Sequence, residues 1–499
     1  MKKSLLLKNA FILTLTSFIL RALGIFVRSY MSNKIGAEGM GLYQLIISIY
    51  VLATTFVTAG ISTAVIRLVT DAIARNKSNA YIKKVMIKCM CISLAVSGIA
   101  IVIFYSLAES ISILWLKDVR CISSIKVLVW VLPFVSLSSC IKGYFIAKRR
   151  VLANSFSQLF EQFVRISFMF IFLEFFMEEN LEKICMYVIL SDVISEIAAW
   201  LFIYLKYRKE TKRLSYKEHN VFSLKEFFQI SLPIAINKYT TSILRTVENI
   251  LIPNKLALFT LSREVALSEF GYLKGMALPL IFFPASFLTA LSTLLMPETS
   301  EAATLHQGNK ISRLVDRTFG FTLSSAILIG AIFFLYADRV GNIFYSNDEV
   351  GFYIKWLAPL VPFMYLESAI VGIMQGLNQQ KKSLIYSLID SALRISLICF
   401  VLPRFGINGF IFIMYVSNLV TSCLNAYRVL KISNTKFDIS SWVIKPLASI
   451  FSACVVCVLV SKYVIITNTL FDMVFKAGII TVMYLVMLFL FGIVKKKNS

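Results

Sequence analysis

The sequence predicts an all-α, polytopic integral membrane protein, and three observations carry that prediction. Hydrophobic residues make up 58% of the 499-residue chain, with a mean hydropathy of +0.77. Soluble domains sit near 45–50% apolar, and here the excess falls in repeated blocks of about 20 or more residues, the length that crosses a bilayer. The formal net charge of +24 is not spread evenly but collects in alternate loops. Finally, the chain repeats itself: a shift of 229 residues superimposes one half on the other.

Fourteen spans are expected, at about 9–32, 42–69, 84–108, 124–147, 152–176, 184–206, 227–253, 272–296, 314–336, 355–377, 383–403, 408–430, 443–466 and 474–494. One set of loops carries Lys2, Lys3 and Lys8, then Arg75, Lys77, Lys83 and Lys84, then Lys148, Arg149 and Arg150. The same side continues with Lys206, Arg208, Lys209, Lys212, Arg213 and Lys217, with Lys310, Arg313, Lys381, Lys382, Lys431 and Lys436, and with Lys495–Lys497. The opposite loops are richer in acids, as at Glu178, Glu179, Glu182, Asp338, Asp348 and Glu349. By the positive-inside rule both termini are expected in the cytoplasm. The positive surplus then reads as topology signal and attraction to anionic lipid heads, not as a nucleic-acid surface.

The basic, apolar N-terminus is read as the first span and not as a signal peptide, because it has no small-x-small cleavage pattern and its apolar run continues past Arg21 to Tyr30. Eight of the nine cysteines fall inside apolar blocks, and only Cys121 falls in an outer loop. They read as small helix filler, the Cys454-x-x-Cys457 spacing included. His219 and His306 lie far apart in polar loops, so no metal site is expected. There is no GxxxxGK[ST] loop and no nucleophile elbow, so neither an enzyme nor a cofactor is expected.

In the repeat, Pro133-Phe134 falls on Pro362-Phe363, Ser139 on Ser368, Gly143 on Gly372, Glu161 on Asp390 and Arg165-Ile166-Ser167 on Arg394-Ile395-Ser396. One residue off that register, Ser62-Thr63 falls on Ser292-Thr293. Two six-helix lobes are therefore expected, at 1–207 and 227–431, joined by a cytoplasmic linker at 208–226 and followed by an extra helix pair at 432–499. Lobes with an even number of spans share an orientation, which is the parallel-repeat plan of a rocker-type transporter with its site between the halves.

Charges inside spans are the candidates for chemistry, because each costs roughly 2.5–3.5 kcal/mol at the centre of an inserted helix. Arg21 and Arg28 are seven residues apart, nearly two turns, so they share a face of span 1. From a start near residue 9 they lie about 18 and 28 Å along the helix. Arg28 is near enough to the boundary to snorkel, whereas Arg21 is near the middle and reads as cavity-lining. Asp192 and Glu196, at i and i+4 in span 6, read as a cation or proton coupling site, as counter-charges for the arginines, or as part of a structural ion pair. Glu161 with Arg165, and Asp390 with Arg394, are i, i+4 pairs whose duplication favours a structural role. In span 7, Lys238, Arg245 and Glu248 stand with Asn237 and Asn249 between Pro233 and Pro253. Either Arg245 pairs with Glu248 or it lines the cavity.

Two stretches resemble a known family. Arg21-Ala-Leu-Gly-Ile-Phe-Val-Arg28 followed by Ile35-Gly-Ala-Glu-Gly-Met-Gly-Leu-Tyr-Gln44 resembles the stage V sporulation protein B group. Gly275-Met-Ala-Leu-Pro-Leu-Ile-Phe-Phe-Pro284, with Leu291-Ser-Thr-Leu-Leu-Met-Pro-Glu-Thr-Ser-Glu301, resembles its second-lobe signature. That group sits in the multidrug/oligosaccharidyl-lipid/polysaccharide exporter superfamily, beside the MurJ-type lipid II flippases. The resemblance implies a transporter of the bacterial plasma membrane that flips an undecaprenyl-pyrophosphate-linked saccharide, lipid II for the spore cortex above all, from the inner to the outer leaflet. It also implies that Arg21 and Arg28 face a central cavity and that spans 13 and 14 form a groove for the lipid tail; Lys238 and Arg245, on the second-lobe counterpart of span 1, are the further candidates for an anionic head group. The implied partners are that lipid, the surrounding membrane lipids and cell-wall synthesis enzymes, with a monomeric chain.

Three other readings stay open: a flippase for teichoic, capsular or exopolysaccharide units, a cation-coupled drug antiporter on the same fold, and a nontransporting scaffold. Span 1 has no acid between Asn9 and Ser32, which disfavours the antiporter. A planar, permanently charged guanidinium suits a pyrophosphate, so Arg21→Ala is expected to abolish flipping while leaving the protein inserted. An outer-leaflet accessibility assay in cells reads this directly, and full activity of the variant would refute the role.

Overall fold

The computed structural model describes residues 3–176, 180–211, 224–461 and 468–492. Among the described residues the secondary structure is helical, with no strand. Lys2, Glu178, Glu179, Lys212, Arg213, Lys217, His219 and Lys495–Lys497, used above for topology, lie outside them.

Among the described residues ten helices are long and apolar enough to cross a membrane, or up to eleven if the bent pair Cys121–Val129 and Leu132–Ala147 makes one span. Three of these are continuous only by hydrogen bonding, one of them Gly308–Tyr345, which kinks at Tyr336 (φ −117°, ψ 21°). The Lys3–Thr58 helix breaks at Gly36 (φ 67°, ψ −175°), and the Gln380–Ser433 helix breaks at Gly406 (φ 57°, ψ −141°). Both breaks lie in the left-handed region that favours glycine, so each long helix turns a corner there. The corner at Gly36 explains the first glycine of the Ile35–Gln44 stretch. Gly41 answers to a different constraint: a methyl there would overlap the Leu267 carbonyl.

Span 8 is less regular than its hydropathy suggested. Gly271–Ala277 winds as a π-helix, Leu278–Phe282 returns to α, and a second helix runs over Ala285–Thr304. Pro279 and Pro284 each remove a backbone donor, which accounts for the bends. The Leu224–Thr260 helix, with two internal prolines, is too polar to count among the ten.

By internal contacts the chain divides into two compact units, one formed by 1–27 and 34–271 and the other by 28–33 and 272–499. The first has a core in which Val65, Val69, Met86, Ile141, Tyr144 and Phe227 are buried. In the second, Phe319, Ile370, Ile373, Met374 and Trp442 are buried together. The last two helices, Lys445–Ser461 and Thr469–Leu490, pack on each other and on Gly308–Tyr345 through Ile327, Ala453, Ile480 and Tyr484. The Tyr484 hydroxyl donates to the Ser324 carbonyl at 2.8 Å, and Asp472 pairs with Arg339 and, at 2.9 Å, with Lys476.

The same contact occurs in both units at residues the repeat aligns. Helices Leu132–Ala147 and Val361–Gly376 each have 16 residues and a proline in the first turn. In the first unit a methyl on Gly143 would lie 3.1 Å from the Ser62 carbonyl oxygen. In the second, Gly372 donates its N–H to Ser292 Oγ at 2.7 Å, and a methyl on it would overlap the Ser292 carbonyl. Gly372→Ala is therefore expected to destabilise by about 1–3 kcal/mol, and Gly143→Ala by clearly less. Thermal unfolding of the two purified variants decides the order.

Candidate functional site

The polar centre of the first unit is built around Arg165 on the Val151–Phe175 helix. Its Nη2 reaches Glu161 Oε1 one turn back at 3.0 Å, and its Nη1 donates to Gln162 Oε1 at 3.2 Å. Its Nε lies 2.9 Å from Asp192 Oδ1 on the Leu181–Thr211 helix. Lys142 Nζ stands 3.9 Å from the other oxygen of Glu161. The Tyr43 hydroxyl donates to Asp192 Oδ2 and the Tyr50 hydroxyl to Glu196 Oε1, both at 3.1 Å. Three carboxylates thus share two cations and two phenols, a burial that is stable only when every charge has such partners. Asp192 serves as counter-charge to Arg165, and the two tyrosines take the remaining oxygens that face them.

The second unit repeats the pair but not its surroundings. Arg394 Nη2 reaches Asp390 Oδ2 at 3.0 Å, and its third partner is the hydroxyl of Ser417, at 2.8 Å from Nη2 and 3.1 Å from Nε. Ser417 in turn donates to the other oxygen of Asp390, so the hydroxyl bridges the acid and the arginine.

Tyr43 and Tyr50 are seven residues apart and therefore fix one face of their helix toward the carboxylates. The neighbouring face, with Gln44, Ser48, Val51 and Thr55, lines a cavity of about 270 Å3 opposite Leu224–Thr260. Across it stand Lys238, Thr241, Arg245 and Asn249, and among the described residues no carboxylate lines it. The helices are joined along the seam: Thr246 Oγ1 donates to the Ser48 carbonyl (3.3 Å), Asn249 Nδ2 to Ser48 Oγ (3.1 Å), and Tyr239 to the Phe56 carbonyl (2.9 Å). Lys238 and Arg245 are exposed to the cavity and have no ion-pair partner among the described residues. Glu248 is buried away from it, at 6% exposure. Such a cavity suits an anion that brings its own negative charge.

Arg21 belongs to the first unit and is half-buried. Arg28 belongs to the second unit, where its Nη1 donates to the Gly275 carbonyl at 3.3 Å. Ser32 Oγ lies 3.5 Å from Met276 Sδ, and Ser29 donates to the Phe344 carbonyl. The π-helical turn leaves carbonyls off the α-helical ladder, and Arg28 takes one of them. The two sequence signatures therefore meet at Arg28 and Gly275. Tyr43 and Tyr50 were the residues that sequence reasoning missed; their seven-residue spacing on a span beside two intramembrane acids was the available signal. Among the described residues no group of three His, Cys, Asp or Glu side chains has the geometry of a metal site.

Removing Arg165 takes from Glu161 and Asp192 the guanidinium they share. Arg165→Met is expected to cost about 3–5 kcal/mol. Arg394→Met leaves Asp390 with the hydroxyl of Ser417, and is expected to cost less. Equal losses of thermal stability in the two purified variants would contradict this account.

Residues 6–292 match the profile of a family described as polysaccharide biosynthesis protein. Stage V sporulation protein B of Bacillus subtilis (strain 168) is 26% identical over 513 residues, covering 99% of this chain and 97% of that protein. Lipid II flippase MurJ of the same organism is 25% identical over 435 residues, covering 79% and 77%. Among solved structures, a lipid II flippase MurJ in an inward closed conformation has the same fold, with a TM-score of 0.73 at 15% identity over 96% of this chain and 98% of that one. The apolar helices and these relatives make the chain a multi-pass transporter of the cell membrane, of the flippase type. It belongs to the polysaccharide biosynthesis protein family.

Proposed function

We propose that the protein flips a polyprenyl-pyrophosphate-linked saccharide, and specifically lipid II, from the inner to the outer leaflet by alternating access. The observation that carries this reading is the cavity lined by Lys238 and Arg245, with no carboxylate on its walls among the described residues. Unpaired cations in a spanning helix are tolerated where they face water or an anionic ligand. Similarity to a protein named for lipid II supports the choice of cargo, and similarity to a sporulation protein supports a role in the spore wall.

The same proposal includes fourteen crossings with both termini in the cytoplasm, two six-helix lobes with a final helix pair, and Arg21 as a further contact for the pyrophosphate. Breaks at Gly36 and Gly406 support the higher count, since each divides one long helix into two spans. Arg28, held on the Gly275 carbonyl, is assigned to joining the two signatures in the resting state, and reaches substrate only if that bond opens. The direction follows from the membrane potential: a head group with about two negative charges moving outward gains roughly 2.3 kcal/mol per charge per 100 mV.

A strain depleted of its lipid II flippase provides the test, by complementation and by outer-leaflet accessibility of lipid II. Wild type is expected to restore growth, and the double variant Lys238→Gln/Arg245→Gln to lower accessibility at least about tenfold at equal membrane abundance, each charge-assisted contact being worth a comparable factor. Failure of wild type to complement, with Arg245-dependent flipping of another polyprenyl-linked repeat unit in proteoliposomes, would move the cargo to a different glycan.

A further inference from the structure

The Leu224–Thr260 helix carries a second cationic pocket that the proposed function does not use. It lies in the first unit, has a volume of about 370 Å3, and is lined by Lys117 and Lys255 with Asn254, Trp115 and apolar side chains. No carboxylate lines it, and neither lysine has an ion-pair partner among the described residues. Lys255 is ten residues beyond Arg245, about 15 Å along the helix axis.

The walls of this pocket are fixed. Asn254 Nδ2 donates to the Trp115 carbonyl at 2.9 Å. Arg263 donates to Asn254 Oδ1 at 2.8 Å and to the Leu116 carbonyl. On the other side of Lys117, Arg120 is bidentate on Asp118 at 2.8 and 2.9 Å and reaches Glu38 at 2.7 Å. Lys117, between these bonded residues, is in the left-handed conformation, φ 56°, and lines the pocket. The two arginines near the pocket are occupied, and the two lysines are not.

An apolar groove of about 490 Å3 adjoins it, sharing Trp115, Val247 and Ile250. Its walls are hydrocarbon, with Phe56, Ile99, Ile103 and Ile243 among them, and it also shares Thr246 with the Lys238/Arg245 cavity. The groove therefore touches both cationic pockets, and its volume is that of a single small-molecule site. A tryptophan between a charged pocket and an apolar groove is the usual arrangement at a membrane interface.

We propose that Lys117 and Lys255 form a second station for the diphosphate head of a polyprenyl lipid, with its hydrocarbon chain in the groove between Asn79–Ser106 and Leu224–Thr260. Two unpaired ammonium groups complement a dianionic head, and one groove accepts one chain, which favours a prenyl diphosphate over a two-chain, singly charged phospholipid. The inference rests on the reading of the protein as a carrier of such a lipid. On the topology proposed above the pocket lies toward the outer leaflet, and the head moves from Arg245 to Lys255 while the chain stays in contact with the groove.

The test uses the full chain in nanodiscs and a farnesyl diphosphate with a diazirine on its chain, with labelled peptides mapped after irradiation. Labels are expected within 96–115 and 243–250, at least about tenfold weaker in Lys117→Gln/Lys255→Gln, and displaced by unlabelled farnesyl diphosphate but not by phosphatidylglycerol. Labelling confined to the last two helices, labelling indifferent to both lysines, or displacement by phosphatidylglycerol would overturn the proposal. The Lys238→Gln/Arg245→Gln variant keeps the two ideas apart. Loss of its flux tests the carrier reading, whereas loss of groove labelling in the Lys117/Lys255 variant, with its fold confirmed by unchanged thermal unfolding, tests the station.

Discussion

An arginine held among buried carboxylates sets the geometry of the first unit. Arg165 joins Glu161 on its own helix to Asp192 on the next, and Tyr43 and Tyr50 tie the Gly36–Thr58 stretch to the same acids. None of these groups is stable alone at this depth, so the three helices are held by mutual need as much as by packing. The rotation of the helix carrying Tyr43 and Tyr50 follows. With the tyrosines on the acids, Gln44, Ser48 and Thr55 have only one side left, and that side lines the cationic cavity.

The Leu224–Thr260 helix then has an unusual duty for a membrane helix. Lys238, Arg245 and Asn249 recur at helical spacing along one flank, while Tyr239, Ile243, Val247 and Ile250 recur along the next. Between them, Ser242 and Thr246 are buried against the neighbouring helix. Acids are sequestered around Arg165, and unpaired cations are presented to the cavities. This segregation keeps the cavity walls positive without neutralising them through salt bridges. An amphiphile with an anionic head and an apolar chain matches such a surface better than a cationic drug does.

The duplication within the chain is economical about what it preserves. The glycine-to-serine contact at Gly143 and Gly372 and the acid–arginine pair at Glu161/Arg165 and Asp390/Arg394 occur in both units. These are contacts in which size or charge permits little substitution: a helix crossing that excludes a side chain, and a buried arginine that needs a carboxylate. The surroundings differ: Arg165 also meets Asp192 on the next helix, whereas Arg394 meets the hydroxyl of Ser417.

Much of the architecture was legible in the residues because the bilayer imposes a length and polarity rule on each span separately. The helices, the loops, the intramembrane charges and the i, i+4 pairs are all local patterns. The candidate site was legible only in part. Lys238 and Arg245 stand out in any hydropathy scan, but that they share a cavity with Gln44 and Ser48 depends on a helix rotation fixed by two tyrosines. Arg28 reads as a cavity residue or an interfacial one, and its bond to the Gly275 carbonyl needs a π-helical turn some 247 positions away. Lys117 and Lys255 are ordinary interfacial lysines in sequence, brought to one pocket by Asn254, Arg263 and Arg120. The apolar length of a helix and the charges it carries are properties of each segment alone, legible residue by residue. The tertiary structure decided which charges neutralise each other and which are left for a ligand, because pairing between helices depends on facing direction, a property no single span contains.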